Sequence, residues 1–261
     1  NKSKILCIFV FLSISPSVCH LINLYNNYVL STFTKTFLTT YLIILFMVYP
    51  ISKWIVPPIY KLWVRKIEGL EDVPKKGSFI IALNHTSYFD VLLPSVIIIP
   101  KINKKIHALA NNYYWKSFIT RLILIWGESI PVYVEKEKGA KQKNRQSIEK
   151  AISSLKRDEI IMIFPEGRRS KDGKLQKAYT GIAKLALKAK VPVLPFGIID
   201  SNKVLPRGKI FPRFVRCEVK IGKPIYFDKY YNKKINNELL ENVTRSIMKQ
   251  LAKLIGQEYN Y

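Results

Sequence analysis

The chain contains 261 residues, which is enough for one large α/β domain with an appended segment. Lys and Arg number 43 against 18 Asp and Glu, and the formal charge of +25 favours phosphate-rich partners, either an anionic lipid surface or a nucleic acid. Three widely spaced cysteines, Cys7, Cys19 and Cys217, do not support a disulfide framework and indicate a reducing compartment such as the cytosol or a plastid-like stroma.

Residues 1–66 form an apolar segment that we expect to be helical and to bind a membrane. The apolar stretches are residues 5–12 and 37–49, and aromatic and basic residues follow the second stretch as far as Lys66. Because thirteen apolar residues are short for a span, we expect an embedded or interfacial position, with a buried core helix as the alternative. The first 20 residues have the composition of either a secretory leader or an amphipathic helix.

Residues 67–261 form the predicted α/β domain. Short β-rich runs alternate with helical patterns, which predicts a single domain with a largely parallel central sheet flanked by helices. The predicted strands are residues 79–83, 106–109, 130–134, 160–164, 193–198 and 216–221, and the predicted helices are residues 89–96, 114–126, 145–157, 181–189 and 237–256. Pro192 and Pro195 suggest that the strand 193–198 is bent or lies at an edge of the sheet.

His85 and Asp90 directly follow the first predicted strand and carry the strongest chemical signal. Two side chains five residues apart cannot meet on one helix face, so a turn must bring them together. Asp90 would then fix the tautomer of His85. A neutral imidazole with an ordinary pKa of about 6.5 is suited to accept a proton from a hydroxyl near neutral pH.

A second polar loop follows the predicted strand 160–164 and contains Glu166, Gly167, Arg168 and Arg169. In a parallel sheet this loop opens at the same edge as His85, so the two loops are predicted to frame one cleft. The planar guanidinium of Arg is suited to binding phosphate. For this segment alone, a solvated basic loop with an ordinary ion pair at Glu166 is the alternative.

Other chemistries lack the residues that they require. The spacing from Gly167 to Lys174 does not match a phosphate-binding P-loop, and no G-x-S-x-G elbow is present. The His and Cys residues show no tetrahedral zinc spacing, so we expect no metal. Ser87 is interpreted as a turn residue and His107 as a structural histidine inside an apolar run.

Taken in order, these segments resemble the 1-acylglycerol-3-phosphate acyltransferases, the glycerolipid acyltransferases with an NHxxxxD motif. The resemblance covers about residues 67–225 and rests on residues 84–90, 164–170 and 191–195. The family's second block usually has an Arg two residues after its Ile-Pro-Val. Here Val132 is followed by Tyr133 and Val134, and Lys136 or Lys138 is the cation that would reach the phosphate from a shifted loop.

The resemblance implies transfer of a fatty acyl group from acyl-CoA or acyl-carrier protein to the free hydroxyl of 1-acylglycerol 3-phosphate, giving phosphatidic acid. It implies that His85 is the catalytic base, that Asp90 orients it, and that the acceptor is bound by a set of residues near them. That set is Asn84, Glu166, Gly167, Arg168, Arg169 and Lys136. We expect a phospholipid bilayer as partner, and no cofactor and no nucleic acid.

Two alternatives remain open from the sequence. The first is an acyltransferase of the same family with another acceptor, such as glycerol 3-phosphate, an acylated sugar or an aminolipid. The second is a non-catalytic basic protein that binds membranes or nucleic acid.

Overall fold

The computed structural model describes residues 56–134 and 136–261, apart from the side chain of Trp126. The apolar stretches on which the membrane-binding segment and the possible leader were predicted lie outside the described residues.

A seven-stranded sheet forms the centre of the described domain. Its strands are β1 Val64–Glu68, β2 Ile80–Leu83, β3 Ile106–Asn111, β4 Ile130–Val132, β5 Ile160–Ile163, β6 Val193–Ile199 and β7 Cys217–Ile221. The spatial order is β1-β7-β6-β2-β5-β3-β4, and every neighbouring pair is parallel except β6 and β7. The predicted, largely parallel sheet is therefore confirmed, with β2 at its centre.

Helices cover the sheet on both faces. The α-helices within the described residues are α1 Val56–Lys61, α2 Leu93–Ile102, α3 Phe118–Trp126, α4 Ala140–Lys156, α5 Gly181–Ala189, α6 Ser201–Val204 and α7 Asn237–Ile255. Short 3-10 helices span Leu70–Asp72, Tyr88–Val91, Asn112–Trp115 and Asp228–Tyr230.

The central strand β2 contributes to hydrophobic clusters on both faces of the sheet. Ile81 and Leu83 pack into the cluster that includes α2, whereas Ile80 and Ala82 pack into the cluster beneath α4, α5 and α7. All four side chains are fully buried. Successive side chains of a strand point to opposite faces, so a strand covered on both sides needs an unbroken apolar run.

Strand β1 extends across the domain boundary that the sequence suggests near Ile67. Val64 pairs with Cys217 of β7, so residues 64–66 belong to the sheet rather than to the N-terminal segment. Arg65 and Lys66 are exposed on this edge strand, and the Arg65 side chain binds Glu218. The sequence did not indicate this strand because three of its five residues are charged and its pairing partner lies about 150 residues away in the sequence.

The prediction that Pro195 marks a bend or an edge is wrong about the edge, because β6 lies between β2 and β7. Val193 exchanges backbone hydrogen bonds with Ile225, and the carbonyl of Pro195 accepts from the N–H of Gly222. Regular pairing with β7 begins only at Phe196. Pro195 therefore occupies an interruption of the antiparallel ladder, where its missing N–H is tolerated.

Three predicted helices begin at other residues, and one of them is α3, which begins at Phe118 instead of residue 114. The helix predicted at 89–96 is replaced at its start by the 3-10 turn Tyr88–Val91, and α2 begins only at Leu93. Conversely, α4 begins at Ala140, before the predicted start at 145. The difference at residues 89–96 matters for function, because the 3-10 turn contains Asp90.

We expect Gly69→Ala to lower the free energy of unfolding by about 3 kcal/mol or more. Gly69 has a φ of 73°, and an added Cβ would lie 1.9 Å from the carbonyl oxygen of Ile221 in β7. The left-handed backbone costs about 1–2 kcal/mol for an L-residue, and overpacking costs about 1–3 kcal/mol more. Gly77 has a similar φ of 76° with no atom within 4 Å, so Gly77→Ala is the matched control. Equal losses for the two variants in urea unfolding would show that the β7 contact is unimportant.

Candidate active site

The two polar loops predicted to form one cleft lie side by side. Strands β2 and β5 are adjacent and parallel, so both loops leave the same edge of the sheet. The backbone N–H of Ser170 donates to the carbonyl of His85 at 2.7 Å, which joins the second loop directly to the first. The expected shared edge is therefore observed.

Asp90 closes the turn that brings it to His85. One of its oxygens, Oδ2, accepts from Nδ1 of His85 at 3.0 Å and from the backbone N–H groups of Thr86 and Ser87 at 2.8 Å each. The Ser87 hydroxyl accepts from the N–H of Phe89, which completes a capping box at the start of the 3-10 turn. Ser87 is thus the turn residue that the sequence predicts.

The geometry assigns the tautomer of His85. A carboxylate only accepts hydrogen bonds, so Nδ1 of His85 carries the proton and Nε2 presents its lone pair. The ring stacks on Phe164 with centroids 4.0 Å apart, and 13% of the side chain remains exposed. Asp90 itself is fully buried, and its Oδ1 has no hydrogen-bond partner among the described residues. The arrangement is that of an oriented base with access to solvent or substrate.

Glu166 connects the two loops instead of pointing into the cleft. Its Oε1 accepts from the backbone N–H of His85 at 3.0 Å, and its Oε2 accepts from the N–H of Gln176 at 2.7 Å. The residue is 1% exposed. Burial raises the pKa of Glu166 to about 7, and the two backbone donors oppose that rise. The structure therefore places Glu166 as a positioning residue for the His85 backbone.

Asn84 has its side-chain amide fully engaged with β6, which differs from the acceptor-binding role implied by the resemblance. The amide nitrogen donates to the carbonyl of Ile198, and the amide oxygen accepts from the N–H of the same residue, both at 2.8 Å. Asn84 follows the last residue of β2 and is buried. Its side chain thus links the end of β2 to β6.

Gly167 adopts a φ of 66°, and an added Cβ would lie 2.9 Å from the ring of Tyr179. The N–H of Tyr179 donates to the carbonyl of Pro165 at 2.8 Å, which holds the tyrosine over the loop. Gly167 is needed here for its backbone conformation and for this ring. In the structure, Gly167 lies against the ring of Tyr179, whereas the resemblance implies that it lies against the acceptor.

The two arginines of the second loop differ in their surroundings. The guanidinium carbon of Arg169 lies 3.6 Å from the centre of the Tyr88 ring, and the hydroxyl of Tyr88 contacts that of Tyr114 at 3.3 Å. Arg168 is exposed. Within the described residues, no hydrogen bond or ion pair engages either guanidinium. The contact with Tyr88 therefore positions the Arg169 guanidinium and leaves its N–H donors available.

Lys136 is not joined to this cluster. It is exposed beyond the C-terminal end of β4, which lies three strand positions from β2. At about 4.8 Å per strand, that places the ends of the two strands about 14 Å apart. Lys136 therefore lies at the same edge of the sheet but outside the contacts that join His85 to the second loop.

Sequence reasoning missed the aromatic side chains that pack behind the His85–Asp90 turn. Tyr60 stacks on Phe89 with centroids 4.1 Å apart, and Trp63 meets the same ring edge-on at 6.4 Å. The sequence places these aromatic residues in the segment expected to bind a membrane, and no local signal connects them with residue 89. Tyr88, by contrast, lies within residues 84–90, which the sequence places at the same sheet edge as the loop that contains Arg169.

The structural interpretation of His107 is confirmed. Its Nδ1 lies 3.1 Å from the carbonyl oxygen of Glu128, its Nε2 lies 2.9 Å from the carboxylate of Glu159, and the ring is buried. Within residues 56–134 and 136–261, no three His, Cys, Asp or Glu side chains are grouped to hold a metal ion.

Comparison with known proteins identifies the family. The sequence model of the family described as Acyltransferase matches residues 64–199, more than half of the chain. The chain belongs to the Acyltransferase family. The matched residues contain both the His85–Asp90 turn and the Glu166–Arg169 loop, so the resemblance drawn from these motifs is confirmed.

Relatives within this family carry one recurring name. The chain is 26% identical over 184 residues to a chloroplastic 1-acyl-sn-glycerol-3-phosphate acyltransferase of Brassica napus, covering 67% of this chain and 49% of the relative. It is 28% identical over 167 residues to the 1-acyl-sn-glycerol-3-phosphate acyltransferase of Bacillus subtilis strain 168, covering 62% and 73%. The match spans about half the length of the two plastid relatives from Brassica napus and Arabidopsis thaliana.

A solved family structure supports the fold. The crystal structure of the 1-acyl-sn-glycerophosphate acyltransferase PlsC from Thermotoga maritima superposes with a TM-score of 0.54. The superposition covers 77% of this chain and 76% of that one at 22% identity. Among the helices of the described ranges, none combines the length and hydropathy that crossing a bilayer requires.

We expect Glu166→Gln to change the pH dependence of stability. With its pKa raised from the ordinary 4.5 to about 7, Glu166 keeps its proton in the folded state while the unfolded chain loses it. Its contribution to the free energy of unfolding therefore falls as pH rises through this interval. The Gln variant loses that slope, and because its amide has one acceptor oxygen for two N–H donors, it is also less stable by about 1–3 kcal/mol.

The measurement is urea unfolding between about pH 5 and pH 8. Exposed Glu241→Gln in α7 is the matched control, and we expect it to follow the wild-type curve. A Glu166→Gln protein with an unchanged pH slope would contradict the assignment.

Proposed function

We propose that the protein transfers a fatty acyl group from an acyl thioester to the free hydroxyl of 1-acylglycerol 3-phosphate. The observation that carries this proposal is the pairing of His85 with buried Asp90 at a partly exposed sheet edge, next to a stacked arginine with free donors. The names of the relatives supply the acceptor. The donor is acyl-CoA or acyl-carrier protein, acting as co-substrate without a further cofactor.

His85 acts as the general base. Its Nε2 accepts the proton of the acceptor hydroxyl while the hydroxyl oxygen attacks the thioester carbonyl carbon. The carbon–sulfur bond then breaks, an ester forms, and the departing thiolate takes the proton from the imidazolium. Asp90 stabilises the imidazolium through Nδ1 and holds the ring in place throughout.

Arg169 binds the phosphate of the acceptor. Its guanidinium lies over the ring of Tyr88, three residues after His85, and the neighbouring Ser170 N–H donates to the His85 carbonyl. A planar guanidinium fork binds a phosphate through two parallel hydrogen bonds. Arg168 adds positive charge from the exposed side of the same loop. The pair replaces the Arg that the family's second block would provide after Val132.

An apolar face beside the cleft suits a substrate with an acyl chain. Helix α3 and the preceding 3-10 turn follow the C-terminal end of β3, at the same sheet edge as the two loops. Several large apolar side chains are exposed there, namely Tyr113, Phe118, Ile119, Ile123 and Ile125. Contiguous exposed apolar surface of this kind marks lipid or protein binding. A bilayer is the partner that we expect, with the α/β domain in a reducing compartment.

We expect purified His85→Ala to lose acyl transfer by at least about 100-fold, because general-base catalysis contributes about 10²–10⁴-fold. Asp90→Asn should retain the fold and lose at least about tenfold, since the neutral amide no longer stabilises the imidazolium. The assay follows labelled acyl groups from a thioester to lysophosphatidate. His107→Gln is the control histidine, buried but outside the cleft, and it should keep its activity. Wild-type transfer by a folded His85→Ala protein would rule out the mechanism.

We expect Arg169→Ala to raise the KM for lysophosphatidate about tenfold or more, since a charge-assisted hydrogen bond contributes about 1.5–3 kcal/mol. The KM for a phosphate-free monoacylglycerol should change little. Arg168→Ala removes the same charge without the Tyr88 stack and should have the smaller effect. Equal effects of the two variants, or an equal effect on both acceptors, would show that Arg169 has no specific contact with phosphate.

Assays with glycerol 3-phosphate, an acylated sugar and an aminolipid test the alternative acceptors.

A further inference from the structure

The segment between α6 and β7 has a composition that a water-exposed loop does not require. Residues 207–216 contain four basic residues and no acidic one, together with four large apolar side chains. The apolar side chains are Ile210, Phe211, Phe214 and Val215, and the basic ones are Arg207, Lys209, Arg213 and Arg216. All eight are exposed. We call residues 207–216 the docking loop.

The exposure of its apolar side chains is unusually high. Ile210 is 85% exposed, Phe211 is 82% exposed and Phe214 is as exposed as in an extended peptide. Isolated exposed apolar residues are ordinary, but three within five positions form a patch that indicates a binding surface. None of the loop's four basic side chains forms an ion pair with another described residue. The charge is therefore available to an anionic partner.

The docking loop is fastened to the catalytic edge of the sheet. Just before it, the carbonyl of Leu205 accepts from the hydroxyl of Ser87, and the hydroxyl of Thr86 contacts that of Ser201 at 2.8 Å. Both contacts reach the turn that contains His85 and Asp90. Because β6 is parallel to β2, the chain leaves β6 at the same edge as the catalytic turn.

A second set of contacts holds the loop itself. The N–H of Arg213 donates to the carbonyl of Val204 at 2.7 Å, and the indole N–H of Trp63 donates to the carbonyl of Arg213 at 2.9 Å. Leu62, beside Trp63 at the end of α1, is also 63% exposed. Hydrogen bonds therefore hold the backbone of the docking loop in place while its apolar side chains remain exposed.

We propose that the docking loop is a membrane-contact element of the α/β domain and binds an anionic bilayer. The apolar side chains of Ile210, Phe211 and Phe214 enter the headgroup and upper acyl region, and the four basic side chains contact lipid phosphates. Mixed aliphatic and aromatic insertion suits a lipid interface better than nucleic acid, whose bases stack on aromatic platforms. The contact orients the edge bearing His85 toward the bilayer and is additional to any contact made by residues 1–66.

Hydrogen–deuterium exchange of the 261-residue chain tests the proposal without substitution. With vesicles containing phosphatidylglycerol, amide exchange in residues 207–216 should slow severalfold, and with pure phosphatidylcholine at high salt it should slow little. Residues 223–235, which follow β7 at the opposite end of β6, are the internal reference. Exchange in the docking loop that is unchanged while the protein floats with the vesicles would overturn the proposal.

Vesicle flotation of variants measures the loop's share of binding. Ile210→Ser/Phe211→Ser/Phe214→Ser should lower the partition coefficient by at least tenfold, and Arg207→Gln/Lys209→Gln by about 25-fold, at roughly fivefold per charge. Tyr226→Ser and Lys229→Gln/Lys234→Gln alter exposed residues at the opposite end of β6 and should match the wild type.

The readout does not depend on acyl transfer, so failure here leaves the proposed function standing. Unchanged flotation of both loop variants would contradict the membrane contact. Loss of self-association by the Ser variant in sedimentation, with flotation intact, would assign the patch to a second copy. Loss of binding to a short DNA duplex by the Gln variant, again with flotation intact, would assign it to nucleic acid.

Discussion

The convergence of three N–H groups on one buried carboxylate oxygen is the interaction on which the site depends. Asp90 Oδ2 receives the N–H groups of Thr86 and Ser87 and the Nδ1 proton of His85. The two backbone bonds shape the turn, and the third uses that shape to orient the imidazole. A charged acceptor in a buried site makes each of these bonds stronger than a neutral acceptor would. Because one atom serves both purposes, the backbone turn and the position of the base cannot vary independently.

The sheet supplies the second constraint, because it brings distant segments to one edge. His85 and Glu166 are 81 residues apart, yet β2 and β5 are neighbours, and the Glu166 carboxylate accepts from the His85 backbone. Ser170 then donates to the His85 carbonyl. Both peptide groups that flank the histidine side chain are thus engaged by the second loop. Arg169 lies between these two contacts in the sequence, and its contact with the Tyr88 ring adds a third link to the His85 turn.

Sequence reasoning recovered the features that follow from local rules and missed those that depend on distant partners. The turn at His85 and Asp90 was predictable because a five-residue spacing excludes a helix face, and the shared edge followed from parallel topology. A sequence does not show whether a carboxylate or amide faces the cleft or the protein. Glu166 was therefore assigned to the acceptor although its oxygens bind backbone. Strand β1 was missed because its charges resemble a membrane anchor and its partner Cys217 is remote.

An aromatic cluster links the docking loop to the base. Phe89, next to Asp90, packs against Tyr60 and Trp63, and Trp63 donates its indole N–H to the carbonyl of Arg213 in the loop. The docking loop and the His85–Asp90 turn therefore pack on the same aromatic residues. Because protein interiors are close-packed, a shift of one segment displaces the other. A lysophospholipid in a bilayer presents its hydroxyl at a nearly constant depth below the phosphate plane. In the proposed membrane contact, the docking loop and His85 are tied to the same ring cluster, which would set the height of the imidazole relative to that hydroxyl before any proton moves.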